Sequence, residues 1–469
     1  MLTRALTRRF PTMANRNFRL LLADRLLAPL AATFSLVGVS FAVLAATGST
    51  ADLSYVIAAQ AAPSLVFLLV GGVIADRIAP QLVIVAANVM VAVGEGLFGI
   101  LVLTAHPSIL VMIVLELVTG TGVALFYPAS MALLPRLVEP QEMQEASALS
   151  RLIMNVAMMA GAALAGECVA LFGAGWALAV CGVGMFATVP LLLAIKVAPL
   201  ERTDSDTQAE QVPSMFRDLR EGWSEFRSHT WLWATVLQFT VVLAAWCGGF
   251  QVLGPAVANA HLGGAAAWGL ISAAEATGLI AGGLLALRWS PGRPMLFVAL
   301  SGAAIALAPL SLAMATLLPL WVICASAFVL GVVIEAMSVV WTVTMAAKIP
   351  TEKLARVSAY DGLGTTMGMP VGALVAGPLA AGFGVSATQY GAAGIMVIAS
   401  ALTLISRDIR TMRAVSAVPV LVRAERLPEP VLAEPAHVLV EAVPVLMEAG
   451  PDITPTLASE ARLAASQAG

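Results

Sequence analysis

The chain has 469 residues, of which 59% are hydrophobic and only 11% charged, with a formal net charge of −3. Soluble domains carry about 25% charged residues, so this balance and a mean hydropathy of +0.91 exclude an ordinary soluble enzyme and a basic nucleic-acid-binding domain. The net charge itself decides little, because it averages a basic membrane collar with an acidic tail.

Twelve apolar stretches follow one another along the chain, near 18–46, 53–75, 82–104, 109–133, 145–172, 176–198, 231–258, 266–287, 294–316, 319–345, 355–383 and 386–406. Each is long enough at ~1.5 Å per residue to cross a ~30 Å hydrocarbon core. Strand-period alternation is absent and Gly and Pro sit inside the runs, which predicts helices rather than barrel strands. Arg8-Arg9-Phe10 precedes the first run. That run is far longer than the apolar core of an export signal and lacks a convincing cleavage site, so it is expected to remain as a span. After the sixth run, Glu201 to Gln211 is polar. Met215, Phe216, Leu219, Trp223 and Phe226 then recur at helical spacing opposite Arg217, Asp218, Arg220 and Glu221. This predicts an amphipathic tether lying on the inner membrane surface. Beyond Ile409 the prolines 419, 428, 430, 435, 444, 451 and 455 are scattered among Glu residues, a composition that cannot build a long helix. The expected organisation is a six-helix bundle over 1–198, a linker over 199–229, a second bundle over 230–410 and a disordered cytoplasmic tail over 411–469.

Lys and Arg orient the spans. The gaps near 47–52, 105–108, 173–175, 259–265, 317–318 and 384–385 hold none, and of 25 basic residues only Arg25 and Arg151 lie deeper in a span than its end residues, where Arg19, Lys196 and Arg356 sit. Both termini are therefore expected in the cytoplasm. Cys168, Cys181, Cys247 and Cys324 occur singly, a pattern that predicts neither disulfides nor a metal site. Lys occurs only at 196, 348 and 353 against a large excess of Arg, which points to a GC-rich bacterial genome.

A shift of 211 residues superposes the chain on itself. Gly71, Gly72, Ala75, Arg77 and Pro80 fall on Gly282, Gly283, Ala286, Arg288 and Pro291, and Gly120 falls on Gly331. Within 147–173 the identities include Ser147, Gly161, Ala162, Ala165, Gly166, Phe172 and Gly173. A period this long marks a duplicated half-protein, as in two-bundle transporters.

Gly71-Gly72-Val73-Ile74-Ala75-Asp76-Arg77 resembles the loop signature of the major facilitator superfamily. Glycines there let two helices approach, Asp76 can cap a helix N-terminus and Arg77 can hold a carboxylate. Gly71, Gly72, Asp76 and Arg77 are thus candidates for a gating latch. Ile78, Ala79, Pro80 and Gln81 replace the Gly and basic positions that follow in the family. Asn15-Arg16-Asn17-Phe18-Arg19-Leu20-Leu21 and Pro135-Arg136-Leu137-Val138 are similar to the enterobactin-exporter and macrolide-efflux branch. The resemblance covers 15–410. It implies alternating access by two six-helix bundles, a cavity lined mainly by spans 1, 4, 7 and 10, and export driven by proton entry.

Charges inside spans are the sharpest functional signal, since each costs ~2.5–3.5 kcal/mol on insertion scales. The chain carries Asp24 and Arg25 in span 1, Glu95 in span 3, Glu116 in span 4, Glu167 in span 5, Glu275 in span 8, Glu335 in span 10 and Asp361 in span 11. Carboxyls shielded from water can take up and release protons, which makes Asp24, Glu116, Glu275 and Glu335 candidates for proton coupling or substrate contact. Asp24 also has Arg25 beside it as an interfacial partner. Glu95, flanked by Gly94 and Gly96 in a peripheral span, is expected to contact a neighbouring helix. Glu167 and Asp361 are expected near the membrane interface. Tyr127, Gln238, Trp246, Gln251 and Trp341 would complete a largely apolar wall suited to amphipathic molecules.

No Gly-x4-Gly-Lys-Ser/Thr loop is present, which excludes an ATP-driven pump of that type. His106, His229, His261 and His437 have no catalytic or metal-binding neighbours in sequence, so no enzyme is expected. Arg25 as the deep basic group disfavours an anionic substrate. The reading is a monomeric twelve-helix secondary transporter of the bacterial cytoplasmic membrane. It would exchange protons for an amphipathic small molecule, with no cofactor, metal or nucleic-acid partner. The alternatives are import of a small nutrient and a non-transporting sensor or scaffold on the same fold.

Overall fold

The computed structural model describes residues 11–77, 79–196, 215–313 and 318–413; for 11, 68–77, 127, 140, 215–221, 313, 351, 352, 355, 356 and 359 it describes the backbone alone. The expected tail and the polar part of the linker lie outside these residues. Among them there are no strands. Six long helices form the first half: α1 (Arg16–Thr47), α2 (Thr50–Arg77), α3 (Pro80–Thr104), α4 (Ile109–Leu133), α5 (Met143–Phe172) and α6 (Ala174–Leu193). A linker helix, α7 (Met215–Ser228), leads to α8 (Thr230–Leu262), α9 (Ala265–Ala286), α10 (Pro294–Leu312), α11 (Leu320–Lys348), α12 (Thr351–Phe383) and α13 (Val385–Thr403). Eleven of these are long and apolar enough to cross a membrane among the described residues. The twelfth long helix, α2, runs into residues described by backbone alone.

Local chemistry sets the helix ends. Asn15 Oδ1 accepts from the backbone N–H of Asn17 at 2.9 Å and of Phe18 at 3.4 Å, capping α1. Gly173 and Gly384, partners under the 211-residue shift, end α5 and α12 with φ of 93° and 88°, a backbone state that only Gly adopts freely. Two predicted spans are modified by proline. The sixth ends at Leu193 rather than 198, with Pro190 in its last turn. The ninth breaks at Ala306, because Pro309 has no N–H to offer the carbonyl of Ile305. Near Pro255, α8 widens into π-helical turns over Cys247–Val252 and Ala258–Leu262.

Packing follows the sequence repeat. In the first half α1 lies on α5 and α6, α3 on α4 and α6, and α2 on α4. In the second half α8 lies on α12 and α13, α9 on α11, and α10 on α13. Among the described residues the two main seams between the halves are α5 on α9 and α2 on α12. A Cβ on Gly166 would lie 2.6 Å from Ala265 O and 2.7 Å from Gly269 Cα. At the equivalent Gly377 it would lie 2.7 Å from Thr50 O. Ser54 Oγ ties the second seam by accepting from Gly377 N at 2.7 Å and donating to Ala373 O. Both seams close toward the loops that carry no Lys or Arg.

The linker helix forms where the spacing predicts it, and its described side chains dock on the second half. Trp223 and Phe226 surround Tyr360 of α12 with ring centroids 5.5 and 5.8 Å away. Lys353 Nζ donates to Glu225 Oε2 at 2.8 Å, and the Glu225 carboxylate lies 3.4 Å from His229 Nε2. The Lys353 ammonium holds Glu225 below the usual carboxylate range, and His229 adds to the effect.

Candidate transport site

The buried charges fall into three groups. In the first half, Asp24 and Arg25 leave α1 toward different helices and form no ion pair among the described residues. Asp24, 1% exposed, accepts from Asn88 Nδ2 of α3 at 3.4 Å, and Asn88 also donates to Thr188 Oγ1 of α6 at 2.7 Å. Arg25 donates to Ser130 O at 3.3 Å, and its guanidinium lies 5.8 Å from the ring centre of Phe126. The expected interfacial pair is therefore a buried brace that joins α1 to α3 on one side and to α4 on the other.

About two turns along α3 lies a second group. Glu95 and Glu116 are both fully buried. Ser35 Oγ of α1 donates to Glu95 Oε1 at 2.6 Å, and Gln60 Nε2 of α2 donates to Glu116 Oε2 at 2.8 Å. The charge of Glu95 acts directly on Glu116. The resemblance implied a cavity position for Glu116; the structure turns it away, into the core between α2, α3 and α4. Glu95 does contact neighbouring helices, as its flanking glycines predicted, but it does so beside another acid.

The third group lies in the second half. A cavity of about 150 Å³ is lined by Phe239, Val242 and Leu243 of α8, Ile305 of α10, Met337, Ser338 and Trp341 of α11, and Asp361 and Thr365 of α12. Trp341 Nε1 donates to Asp361 Oδ2 at 3.1 Å, while Asp361 Oδ1 is buried without a partner. Phe239 and Trp231 meet Trp341 edge-on at 5.7 and 5.9 Å. Asp361 thus lines a pocket, at the start of the apolar stretch Tyr360–Phe383 of α12.

The remaining candidates are spread out. Glu335 Oε1 lies 3.7 Å from Arg151 Nη1, an ion pair across the halves from α11 to α5 with side-chain exposures of 21% and 70%. Glu275 is partly buried on α9 and has no hydrogen-bond or ion-pair partner among the described residues. Gln238 packs inside the second half, donating to Ala299 O at 2.8 Å and Ser400 Oγ at 3.0 Å. Trp246 stacks on Phe250 at 6.0 Å, and Gln251 sits in the π-helical turn of α8. The backbones of Gly71, Gly72, Asp76, Arg77 and Tyr127 are helical, and their side chains lie outside the described residues. Glu167 is exposed on α5.

Two pseudo-symmetric sets of six apolar helices, holding buried acids and a small pocket, define a multi-pass membrane transporter. The particular family follows from the sequence: residues 26–360 match the Major Facilitator Superfamily, and the chain belongs to it. As such it is a transporter, not an enzyme. Macrolide efflux protein A of Streptococcus pyogenes is 24% identical over 349 residues, 72% of this chain and 83% of that protein. The enterobactin exporter EntS of Citrobacter koseri is 26% identical over 382 residues, 80% of this chain and 88% of that one. A mutant of the nucleoside transporter NupG shares the fold with a TM-score of 0.65 at 14% identity, covering 83% of this chain and 99% of its own. A bacterial homologue of the human lysosomal transporter Spinster, inward-facing and unoccupied, has a TM-score of 0.57 at 17% identity, covering 84% and 99%.

Proposed function

We propose that this transporter exports an amphipathic, neutral or cationic small molecule across the bacterial inner membrane in exchange for protons. Alternating access would carry the molecule, with both termini in the cytoplasm. The observation that carries this reading is the second-half cavity: an aromatic and aliphatic wall with one acid, Asp361, whose Oδ1 has no partner. At about 150 Å³ such a wall holds one apolar group of a larger ligand, and a lone carboxylate selects against anions and for an amine. The chain's likeness to a macrolide efflux protein and an enterobactin exporter supports the outward direction. The acids without a facing cation supply groups for proton exchange.

Efflux of a matched pair of dyes, one cationic and one neutral, tests the selectivity in cells that lack their main pumps. Asp361→Asn is expected to slow the cationic dye and spare the neutral one. Equal loss of both, or of neither, would remove Asp361 from substrate recognition.

A further inference from the structure

The Glu95–Glu116 group is the least satisfied polar cluster among the described residues. Each carboxyl has one close donor, Ser35 for Glu95 and Gln60 for Glu116, and the Thr119 hydroxyl also acts on Glu95. The other oxygen of each, Glu95 Oε2 and Glu116 Oε1, is buried with no partner. Buried polar atoms in folded chains are almost always hydrogen-bonded, so two orphaned oxygens in one layer call for a ligand.

Thr119 points to the same place. Helical Thr hydroxyls elsewhere in this chain bond a carbonyl one turn back, as Thr121 does to Leu117 O at 2.7 Å, Thr235 to Trp231 O at 2.7 Å and Thr344 to Val340 O at 2.7 Å. Thr119, 1% exposed, makes no such bond. Its hydroxyl lies beside Glu95 instead. Gly94 makes this possible, since a Cβ there would run into Thr119 Oγ1 and come within 3.2 Å of Leu115 O. The helices α3 and α4 therefore touch where the two acids sit, and a hydroxyl forgoes its usual local bond to face them.

The surroundings narrow the ligand. From α6 the facing titratable group is Cys181, on which both carboxylates act. Glu95 is the only charged residue of α3, Glu116 the only one of α4, and α6 has none. On α1 the charges inside the span are Asp24 and Arg25, ten or more positions from Ser35. On α2 the described acid is Asp52, two turns from Gln60. Among the described residues no cation is at hand to neutralise two carboxylates.

The geometry points to a proton site at Glu95 and Glu116, in which one exchangeable proton bridges the two unpartnered oxygens and Thr119 completes the contact. The site is separate from the second-half cavity. It rests on the reading of this chain as a proton-coupled exporter and names where the coupling proton resides. The only bond made or broken is O–H: a proton enters from one aqueous face, is held as Glu–COOH against Glu–COO⁻, and leaves to the other face.

Infrared difference spectroscopy on the purified full chain in lipid nanodiscs, recorded across a pH step, tests this without needing a substrate. The wild type is expected to show a protonated-carboxyl band at the step. Glu95→Gln and Glu116→Gln should each shift it, and the double variant should lose one proton's share of its area. Thr119→Val should move the band without removing it, and it serves as the probe if the double variant fails to elute as a single species. Replacing sodium by choline should leave the band unchanged. A double variant with the full wild-type band, an unmoved band in Thr119→Val, or a band abolished by sodium would overturn the site. Uncoupler-insensitive dye efflux with an intact band change would instead defeat the export reading and leave the proton site standing.

Discussion

At the level of single residues, the repeat makes paired predictions. Gly120 of α4 abuts the Gln60 carbonyl of α2, and its counterpart Gly331 of α11 abuts the Glu275 carbonyl of α9. A methyl group fits at neither position. Gly120→Ala and Gly331→Ala are each expected to cost about 1–3 kcal/mol, read as a fall in thermal unfolding temperature in detergent. Trp341→Phe keeps the edge-on aromatic packing but removes the donor to Asp361 Oδ2. The lost bond is worth roughly 1.5–3 kcal/mol when the acceptor is charged, so the variant should unfold earlier than wild type and Trp341→Phe/Asp361→Asn should recover part of the loss. What single residues do was only partly legible in the sequence. Asp361 reads as interfacial from its place near the start of its span, and the apolar stretch of α12 does begin at Tyr360; what the sequence conceals is that Trp341, twenty positions away, donates to it there. Glu116 could not be assigned a direction, because α4 is apolar around its whole circumference and gives no sign of which face looks inward. For Glu95 a signal did exist in Gly94-Glu95-Gly96, since small residues beside an intramembrane acid imply that another helix comes close.

At the level of elements, helix identity was read well from length and hydropathy, while breaks needed proline chemistry that apolar runs conceal. The amphipathic pattern of α7 predicted a helix correctly, but a stripe of Trp and Phe does not say which protein groups it meets. The docking partners, Tyr360 and Lys353, lie more than 120 positions away in sequence. The Glu225–Lys353 contact gives the docked linker a pH dependence. Because Glu225 is held below its ordinary range in the docked state, the contact contributes at neutral pH and fades as pH falls through that lowered value. Protection over 222–228, measured as hydrogen exchange relative to the intrinsic amide rate at each pH, should therefore fall on acidification past the usual glutamate range. Lys353→Gln should show the lowered protection already at neutral pH and little further change.

At the level of the whole molecule, the 211-residue repeat became a pair of equivalent seams, Gly166 against Ala265 and Gly269, and Gly377 against Thr50 and Ser54. These seams close one end of the path between the halves, while the Arg151–Glu335 pair is an exposed contact of little energy toward the other. Alternating access requires the seams to open. Gly377→Leu places a side chain where α2 and α12 now touch and should hold that end apart. A cysteine placed at Ser54 should then label faster with a membrane-impermeant thiol reagent in Gly377→Leu than in the otherwise wild-type background. Equal labelling would show that this seam is not the moving contact.

The central claim is proton-driven export, and time-resolved efflux of preloaded amphipathic dyes tests it most directly. The assay uses cells lacking their main pumps and compares wild type with Glu116→Gln, Glu275→Gln and Asp24→Asn, each with and without a proton uncoupler. The account predicts rapid wild-type efflux that the uncoupler abolishes and that at least one carboxylate variant loses. Efflux that persists undiminished with the proton gradient collapsed, or dye uptake in place of efflux, would contradict it.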